Sequence, residues 1–112
     1  LIVSCSNDEV VQEMKNKKPV IPFAERVEIL KSIKFVDDVI EQTKDLYVNK
    51  MKAFHIYKFD KMFVGDDWKG SNKFNDLEKE LLSLGSELVY FPYTKSTSST
   101  KINKILDDYK FN

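Results

Sequence analysis

Residues 61–92, KMFVGDDWKGSNKFNDLEKELLSLGSELVYFP, decide the fold. The apolar run "KMFV" is typical of a buried strand, and "ELVYFP" is a second such run that ends at Pro92. Between them lies a predicted helix whose apolar residues share one face at helical spacing: Phe74, Leu77, Leu81 and Leu84. Gly85 follows in the position where glycine commonly ends a helix. A strand, a helix and a strand in this order predict a βαβ unit with parallel strands.

The same alternation continues on both sides of this unit. The runs "LIVSC" and "FVDDVIE" are strand-like, and "SNDEVVQEM" predicts a short helix capped by Ser6 or Asn7. "KNKKPVIP" predicts a mobile basic loop that ends at Pro22, which is well placed to open a helix. Three further helices are predicted: one with Phe23, Val27, Leu30, Ile33 and Lys34 along one side, one over residues 45–57, and one carrying Ile102, Ile105, Leu106 and Tyr109.

Length and composition fit one small α/β domain over residues 1–112 with a parallel sheet and flanking helices. The 18 basic and 18 acidic residues cancel, so charge does not call for nucleic acid or a membrane surface as a partner. No apolar stretch approaches the roughly 20 residues that span a bilayer. The single cysteine, Cys5, excludes an internal disulfide and predicts a buried thiol in a reducing cytoplasm.

Two polar stretches follow predicted strands at the end where parallel sheets bind ligands. "GDDW" follows the third strand and "YTKSTSST" follows the fourth, which predicts a single site. Gly65 allows a tight turn or a close ligand approach, and Asp66 and Asp67 can accept hydrogen bonds from a base or ribose or help to hold Mg²⁺. Trp68 either stacks on a ligand ring or covers the edge of the core.

The remaining polar clusters each have a functional and a structural interpretation. The hydroxyl run "STSST" before the last helix is suited to an anion at a helix start, or serves only as a cap. Lys15, Lys17 and Lys18 form either a loop that closes over a triphosphate or an ordinary solvated loop. Arg26 either clamps phosphate or forms structural salt bridges. The only histidine, His55, is predicted on a helix surface, so zinc sites and Ser–His–Asp hydrolases have little support.

The segments "FAERVEILKSIKFVDDVI", "FVGDDWKG" and "LVYFPYTKSTSSTKI", in this order and spacing, resemble the cytidylyltransferases of the HxGH nucleotidyltransferase superfamily. The resemblance covers essentially the whole chain and is greatest to the members that act on glycerol 3-phosphate. It implies a Rossmann-like parallel sheet and an enzyme that joins CTP to a phosphorylated alcohol, releases pyrophosphate and uses Mg²⁺. It also implies a homodimer.

By resemblance, Lys15, Lys17 and Arg26 are the catalytic residues on the phosphate side, and no protein residue is assigned as a metal ligand. The residues implied for nucleotide binding are Gly65, Asp66, Asp67, Trp68, Tyr93, Thr94, Ser98, Ser99 and Thr100. Of these, Thr94, Ser98, Ser99 and Thr100 match the family segment R-T-x-G-I-S-T-T, and three of this chain's departures from that segment matter most. Tyr93 replaces its arginine, Ser96 its glycine and Thr97 its isoleucine.

The family signature G-T-F-D-x-x-H-x-G-H does not occur in the chain, and His55 matches neither of its histidines. We therefore expect an N-terminally truncated domain that lacks a strand–helix unit of roughly thirty residues. Because that strand lies mid-sheet in the family, we expect the remaining strands to form two pairs, and the chain alone to be inactive.

Three alternatives stay open at this point. The first is a phosphocholine or phosphoethanolamine cytidylyltransferase, for which an aromatic cage would be needed in the choline case. The second is a non-catalytic nucleotide-binding or assembly module, favoured by the missing histidines and by Tyr93. The third is a phospho-accepting receiver domain with Asp66 as the acceptor, although its expected acidic pair and Lys-Pro are not where that fold needs them.

Overall fold

The computed structural model describes residues 1–110 as an alternation of parallel strands and helices. The strands are β1 (Ile2–Ser6), β2 (Asp38–Gln42), β3 (Lys61–Gly65) and β4 (Glu87–Phe91). The helices are α1 (Asp8–Lys15), α2 (Phe23–Lys31), α3 (Lys44–Val48), α4 (Lys50–Tyr57), α5 (Asn72–Ser83) and α6 (Ser99–Lys110), and a short 3₁₀ helix covers Asp66–Trp68. The predicted α/β class with a parallel arrangement of strands is confirmed.

The strands form two parallel pairs. β1 pairs with β2 from Ile2 opposite Asp38 to Ser6 opposite Gln42. β3 pairs with β4 from Lys61 opposite Glu87 to Gly65 opposite Phe91. Within the part of the chain that the structure describes, no ladder of hydrogen bonds joins one pair to the other. The expectation of two strand pairs is therefore confirmed.

The chain divides into two compact units, the first over Leu1–Lys58 and the second beginning at Phe59. Each pair of strands belongs to one unit, together with the helices that follow its strands. The prediction of a single domain over residues 1–112 stays a prediction. No helix among residues 1–110 is both long and apolar enough to cross a membrane.

The core of the first unit is small and lies between its strand pair and its helices. Its buried apolar residues are Cys5, Val10, Leu46 and Phe54. Asn7 begins α1 as predicted, because its side-chain oxygen accepts a hydrogen bond from the backbone N–H of Val10 at 2.9 Å. The predicted burial of the Cys5 thiol is confirmed.

Two helix predictions in the first unit are wrong in their extent. The single helix over 45–57 is two helices, because Asn49 leaves the helical conformation and caps α4, accepting from the backbone N–H of Lys52 at 3.1 Å. The helix that follows Pro22 ends at Lys31, so Ile33 and Lys34 lie beyond it. There the Ser32 hydroxyl donates back to the carbonyl of Glu28 at 2.9 Å.

The core of the second unit lies between α5 and β4. Phe74, Leu77 and Leu81 of α5 are buried as predicted, together with Leu88 of β4. Leu84 departs from the prediction, because it is the residue that ends the helix and half of its surface is exposed. Gly85 follows with φ of +82°, a left-handed conformation that favours glycine.

Candidate nucleotide-binding residues

Arg26 lies where β1 ends, and its guanidinium is held by several acceptors. Its Nη2 donates to Oδ1 of Asp8 at 2.6 Å, and its Nη1 donates to the carbonyl of Ser6 at 2.7 Å. Its Nε donates to the carbonyl of Ile21 at 2.9 Å. The structure therefore shows the salt bridge of the structural interpretation, with Asp8 as the partner of Arg26. Whether the same guanidinium also meets phosphate stays a prediction.

An open recess of about 380 Å³ adjoins this guanidinium. Its walls come from β1 and from the side of α2 that faces β1, and they are formed by Val3, Ser4, Cys5, Ser6, Arg26, Ile29 and Leu30. The wall is mostly apolar, and Arg26 is its one charged residue. The recess runs along β1 from Val3 to Ser6, and the Arg26 guanidinium lies at the carboxyl end of that strand, the edge where ligands bind in parallel sheets.

The predicted lysine loop begins at the end of α1. Lys15 is the last residue of that helix, and Asn16 ends it in the left-handed conformation with φ of 53°. Lys15, Lys17 and Lys18 are exposed. Among residues 1–110, neither Lys15 nor Lys17 has an ion-pair partner. Exposed lysines fit both a loop that closes over a triphosphate and an ordinary solvated loop, so their role at phosphate stays a prediction.

The "GDDW" stretch forms a tight turn at the carboxyl end of β3. Gly65 ends the strand with φ of −70°, so the conformation itself does not require glycine. A Cβ on Gly65 would lie 2.7 Å from Oδ1 of Asp67, so a side chain here would displace that exposed carboxylate. Asp66, Asp67 and Trp68 form the 3₁₀ helix, and all three are exposed. This turn presents two carboxylates and an indole together.

Trp68 both covers the core edge and offers a surface. Its ring stacks on Phe74 of α5 with centroids 5.5 Å apart and planes 19° from parallel. It is nevertheless 47% exposed, so Phe74 covers only part of the indole. The sequence left covering the core edge and stacking on a ligand as alternatives. In the structure Trp68 covers the core edge, and the exposed part of its indole remains free for stacking.

The hydroxyl run before α6 divides into one cap and two further hydroxyls. Ser98 caps the helix, because its Oγ accepts from the backbone N–H of Lys101 at 3.1 Å. Ser99 and Thr100 lie in the first helical turn, where backbone N–H groups have no acceptor within the helix. In the described residues, neither of their hydroxyls has a hydrogen-bond partner. These groups are the ones that an anion at this helix start would use.

Tyr93 and Thr94 lie in the exposed segment between β4 and α6. Tyr93 is 62% exposed, so the aromatic ring that replaces the family's arginine is largely in solvent. His55 lies exposed on α4, as predicted, with its ring edge against Phe54 at a centroid distance of 5.7 Å. Lys15, Lys17 and Arg26 belong to the first unit and the other predicted site residues to the second. That all of them serve one ligand stays a prediction.

Asp8 is the polar residue of the first unit that the sequence interpretation missed. Its hydrogen bond with Arg26 is the main cause that lowers the pKa of its carboxyl below the usual 3.8, and the charge of Lys18 acts in the same direction. One signal was available in the sequence: an acidic residue directly after a strand, in the first turn of a helix, stands at the ligand edge of a parallel sheet.

Comparison with known protein families gives a match over nearly the whole chain. The cytidylyltransferase-like family model matches residues 1–105. The chain therefore belongs to the cytidylyltransferase-like family of nucleotidyltransferases, as the sequence resemblance implied. The match extends through both compact units.

Curated relatives of two kinds are similar to the chain. The glycerol-3-phosphate cytidylyltransferase of Bacillus subtilis is 34% identical over 93% of this chain and 73% of its own length. The FAD synthase of Pyrococcus horikoshii is 32% identical over 96% of this chain and 71% of its own length. Both kinds of relative support a nucleotidyltransferase, and the two names point to different nucleotides.

A solved structure supports the fold. The lipopolysaccharide core biosynthesis protein of Thermoplasma volcanium superposes with a TM-score of 0.62 over 87% of this chain and 75% of that one. Its sequence identity is 22%, so the likeness concerns the fold alone.

Proposed function

We propose that this protein transfers CMP from CTP to glycerol 3-phosphate or a similar phosphorylated alcohol, with release of pyrophosphate. The family match and the 34% identity to a glycerol-3-phosphate cytidylyltransferase support this proposal. The observation that carries it is the Gly65–Trp68 turn, which presents two carboxylates and a half-exposed indole where β3 ends. Carboxylates accept from the amino and hydroxyl groups of a nucleoside, and an indole offers a stacking surface.

The reaction requires charge neutralisation more than a side-chain nucleophile. A phosphate oxygen of the acceptor attacks the α-phosphorus of CTP, and the bond from that phosphorus to the bridging oxygen breaks as pyrophosphate leaves. Lys15, Lys17 and Arg26 are the cations proposed to offset the phosphate charge. The first turn of α6, with the Ser99 and Thr100 hydroxyls, is proposed to donate hydrogen bonds to the same kind of group.

Mg²⁺ fits this proposal as an ion that accompanies the nucleotide. Within residues 1–110, no group of three or more His, Cys, Asp or Glu side chains is arranged to hold a metal. Mg²⁺ does not need such a group, because it commonly binds through substrate phosphates, waters and one or two carboxylates. Because Asp66 and Asp67 are assigned to the nucleoside in this proposal, phosphates and waters are the proposed ligands, and the ion would neutralise phosphate charge when bound.

Adenylyl transfer that forms FAD is the second candidate. The observation that favours it is the 32% identity to an FAD synthase over 96% of the chain. The carboxylates of the turn do not distinguish the two nucleotides, because cytosine and adenine both carry an exocyclic amino group. The nucleotide preference has to be measured.

A non-catalytic nucleotide-binding module is the third candidate function. Its supporting observations are Tyr93 at the family's arginine position and His55 as the only histidine, on the surface of α4. Such a module would bind a nucleotide tightly and turn over none of it.

One assay separates these candidates. The protein as its gene encodes it is incubated with Mg²⁺ and either CTP or ATP. Each reaction contains one acceptor: glycerol 3-phosphate, phosphocholine, phosphoethanolamine or FMN. The products are identified by mass spectrometry. We expect CDP-glycerol and pyrophosphate from CTP and glycerol 3-phosphate. Formation of FAD from ATP and FMN would replace the proposal with the second candidate. Tight CTP binding without any product would favour the module.

A further inference from the structure

The guanidinium of Arg26 is fixed by acceptors from three separate segments. Asp8 lies in the first turn of α1, Ser6 ends β1, and Ile21 lies in the loop before α2. Their oxygens accept from Nη2, Nη1 and Nε at 2.6, 2.7 and 2.9 Å. Nη1 also lies 3.5 Å from Sγ of Cys5, a weak acceptor. Such a set of contacts defines both the position and the plane of the guanidinium.

A count of donors shows what is left for a ligand. Arginine has five N–H donors, one on Nε and two on each terminal nitrogen. Nε serves Ile21, Nη1 serves Ser6 and Cys5, and one N–H of Nη2 serves Asp8. Within the described residues, the second N–H of Nη2 has no acceptor. The side chain is 21% exposed and lines the recess along β1, and we take this remaining donor as the one that a ligand reaches.

We propose that Asp8 is a positioning residue, which orients Arg26 so that its remaining Nη2 donor meets a phosphate oxygen at the carboxyl end of β1. The inference rests on the proposed function, since it takes the ligand to be a nucleotide phosphate. Asp8 is the only charged acceptor among the three oxygens. A charge-assisted hydrogen bond is shorter and stronger than a neutral one, so this contact decides the orientation of Nη2.

The solvent exposure of the Asp8–Arg26 pair favours a role in orienting the guanidinium over a role in folding stability. The Asp8 side chain is 44% exposed, and an ion pair in such a setting adds little to folding stability. The orientation of a phosphate donor, in contrast, acts directly on ligand affinity, because hydrogen bonds weaken steeply as their angle departs from linearity. Removing Asp8 should therefore change phosphate binding far more than it changes folding.

The first test observes the guanidinium directly. Arg26 is the only arginine, so its Nε–H gives a single unambiguous cross-peak in a ¹⁵N NMR spectrum. We expect Asp8→Ala to broaden or shift this peak and to speed its exchange with water. Glu9→Ala is the matched control, because it removes an adjacent charge from the same helical turn and should leave the peak unchanged. A peak that is equally unmoved by Asp8→Ala overturns the proposal.

The second test measures affinity for CTP with Mg²⁺ and, separately, for pyrophosphate, by calorimetry. Asp8→Ala should weaken both by about fivefold, the scale of one charge-assisted hydrogen bond that is lost in part. The same change in an Arg26→Lys background should have almost no further effect, because lysine keeps the charge but lacks the guanidinium fork. Asp8→Asn, which keeps an acceptor oxygen, should recover part of the loss.

The outcomes separate this inference from the proposed function. Equal losses in the parent and Arg26→Lys backgrounds would assign Asp8 a general structural role and overturn the inference alone. Pyrophosphate binding that depends on Asp8 and Arg26, without preference for CTP over ATP, would sustain the inference and count against cytidylyl transfer. Failure of the parent protein to bind either ligand would overturn both.

Discussion

The carboxylate of Asp67 folds back onto Gly65, with Oδ1 so placed that a Cβ on Gly65 would stand only 2.7 Å from it. Real Cβ atoms essentially never come so close to another heavy atom, so a side chain at residue 65 would force the exposed Asp67 carboxylate to move. The glycine and the aspartate are therefore parts of one arrangement. The contact gives a physical reason for the order Gly-Asp-Asp at the end of β3.

Gly65→Ala should weaken CTP binding by about tenfold, because the added methyl displaces the Asp67 carboxylate from its place in the turn. Calorimetry on the parent and the variant measures the change. The double variant Gly65→Ala/Asp67→Ala is the informative comparison, because it lacks the carboxylate that would clash with the added methyl. We expect the single variant to keep its folding stability, because the backbone of residue 65 suits alanine and the exposed Asp67 side chain can rotate away from the methyl. We expect the double variant to bind CTP no more tightly than the single one. Unchanged affinity in the single variant would contradict this account of the turn.

Leu81→Ala should lower the free energy of unfolding of the second unit by about 3 kcal/mol, because it leaves a cavity at a fully buried position. Leu82→Ala is the matched control on the same helix. Leu82 is 57% exposed, so its truncation should change stability by no more than about 0.5 kcal/mol. Denaturant unfolding followed through Trp68 fluorescence reports on this unit. Similar losses for the two variants would show that α5 packs by a different face.

Ser86→Ala should destabilise the second unit by about 1 kcal/mol. The Ser86 hydroxyl is buried and lies 3.0 Å from the carbonyl oxygen of Phe59 and 3.1 Å from that of Asp60, so these two acceptors share its one O–H donor. Alanine leaves these carbonyls without that donor. Ser83→Ala provides the comparison, because its exposed hydroxyl bonds only to its own helix at Glu80. The prediction fails if both serines can be replaced at equal cost.

The Asp8–Arg26 pair should make stability depend on pH in the acid range. The folded state lowers the pKa of Asp8, so the ionised carboxylate stabilises the protein at pH values above the unfolded value of about 3.9. This contribution is lost as the pH falls through the lower, folded-state pKa. Besides Arg26, the charge of Lys18 and the backbone N–H of Phe23 act on the carboxylate in the same direction.

Denaturant unfolding of the parent and of Asp8→Asn, from neutral pH down to about pH 2, measures this contribution. The stability difference between the two should shrink toward zero as the pH falls below about 4. Repeating the comparison in an Arg26→Gln background should remove most of the difference at every pH. A difference that stays constant with pH would show that Asp8 gains nothing from ionisation.

The parts of the fold that could be read from the sequence are those set by periodicity and caps. The four strands, the Asn7 cap and the buried face of α5 follow from local patterns that tertiary structure did not override. The prediction of one helix over residues 45–57 was wrong, because Asn49 accepts from backbone N–H groups as a helix cap more readily than it continues a helix. The apolar pattern around it, with Tyr47, Met51 and Phe54, contains no sign of that break.

The candidate site could be predicted by residue type but not by contact. The turn at Gly65–Trp68, the lysines and the helix-start hydroxyls all lie at strand or helix ends, where local sequence signals are strong. The Asp8–Arg26 pair joins residues 18 positions apart, and such pairing depends on how α1 and α2 pack on β1. No local pattern encodes it. The position of the Asp67 carboxylate against Gly65 is likewise visible only in the three-dimensional structure.

The most direct test of the central claim uses the only tryptophan, which lies in the proposed nucleotide turn. Titration of the protein with CTP in the presence of Mg²⁺, followed by Trp68 fluorescence, should give a saturable change with a dissociation constant at least about tenfold lower than that for ATP, a preference of about 1.4 kcal/mol. Asp67→Ala should weaken the binding of both nucleotides, because the exocyclic amino group that its carboxylate would accept from is present on cytosine and adenine alike. A flat titration with CTP, or a response to ATP that is stronger than the response to CTP, would contradict the account.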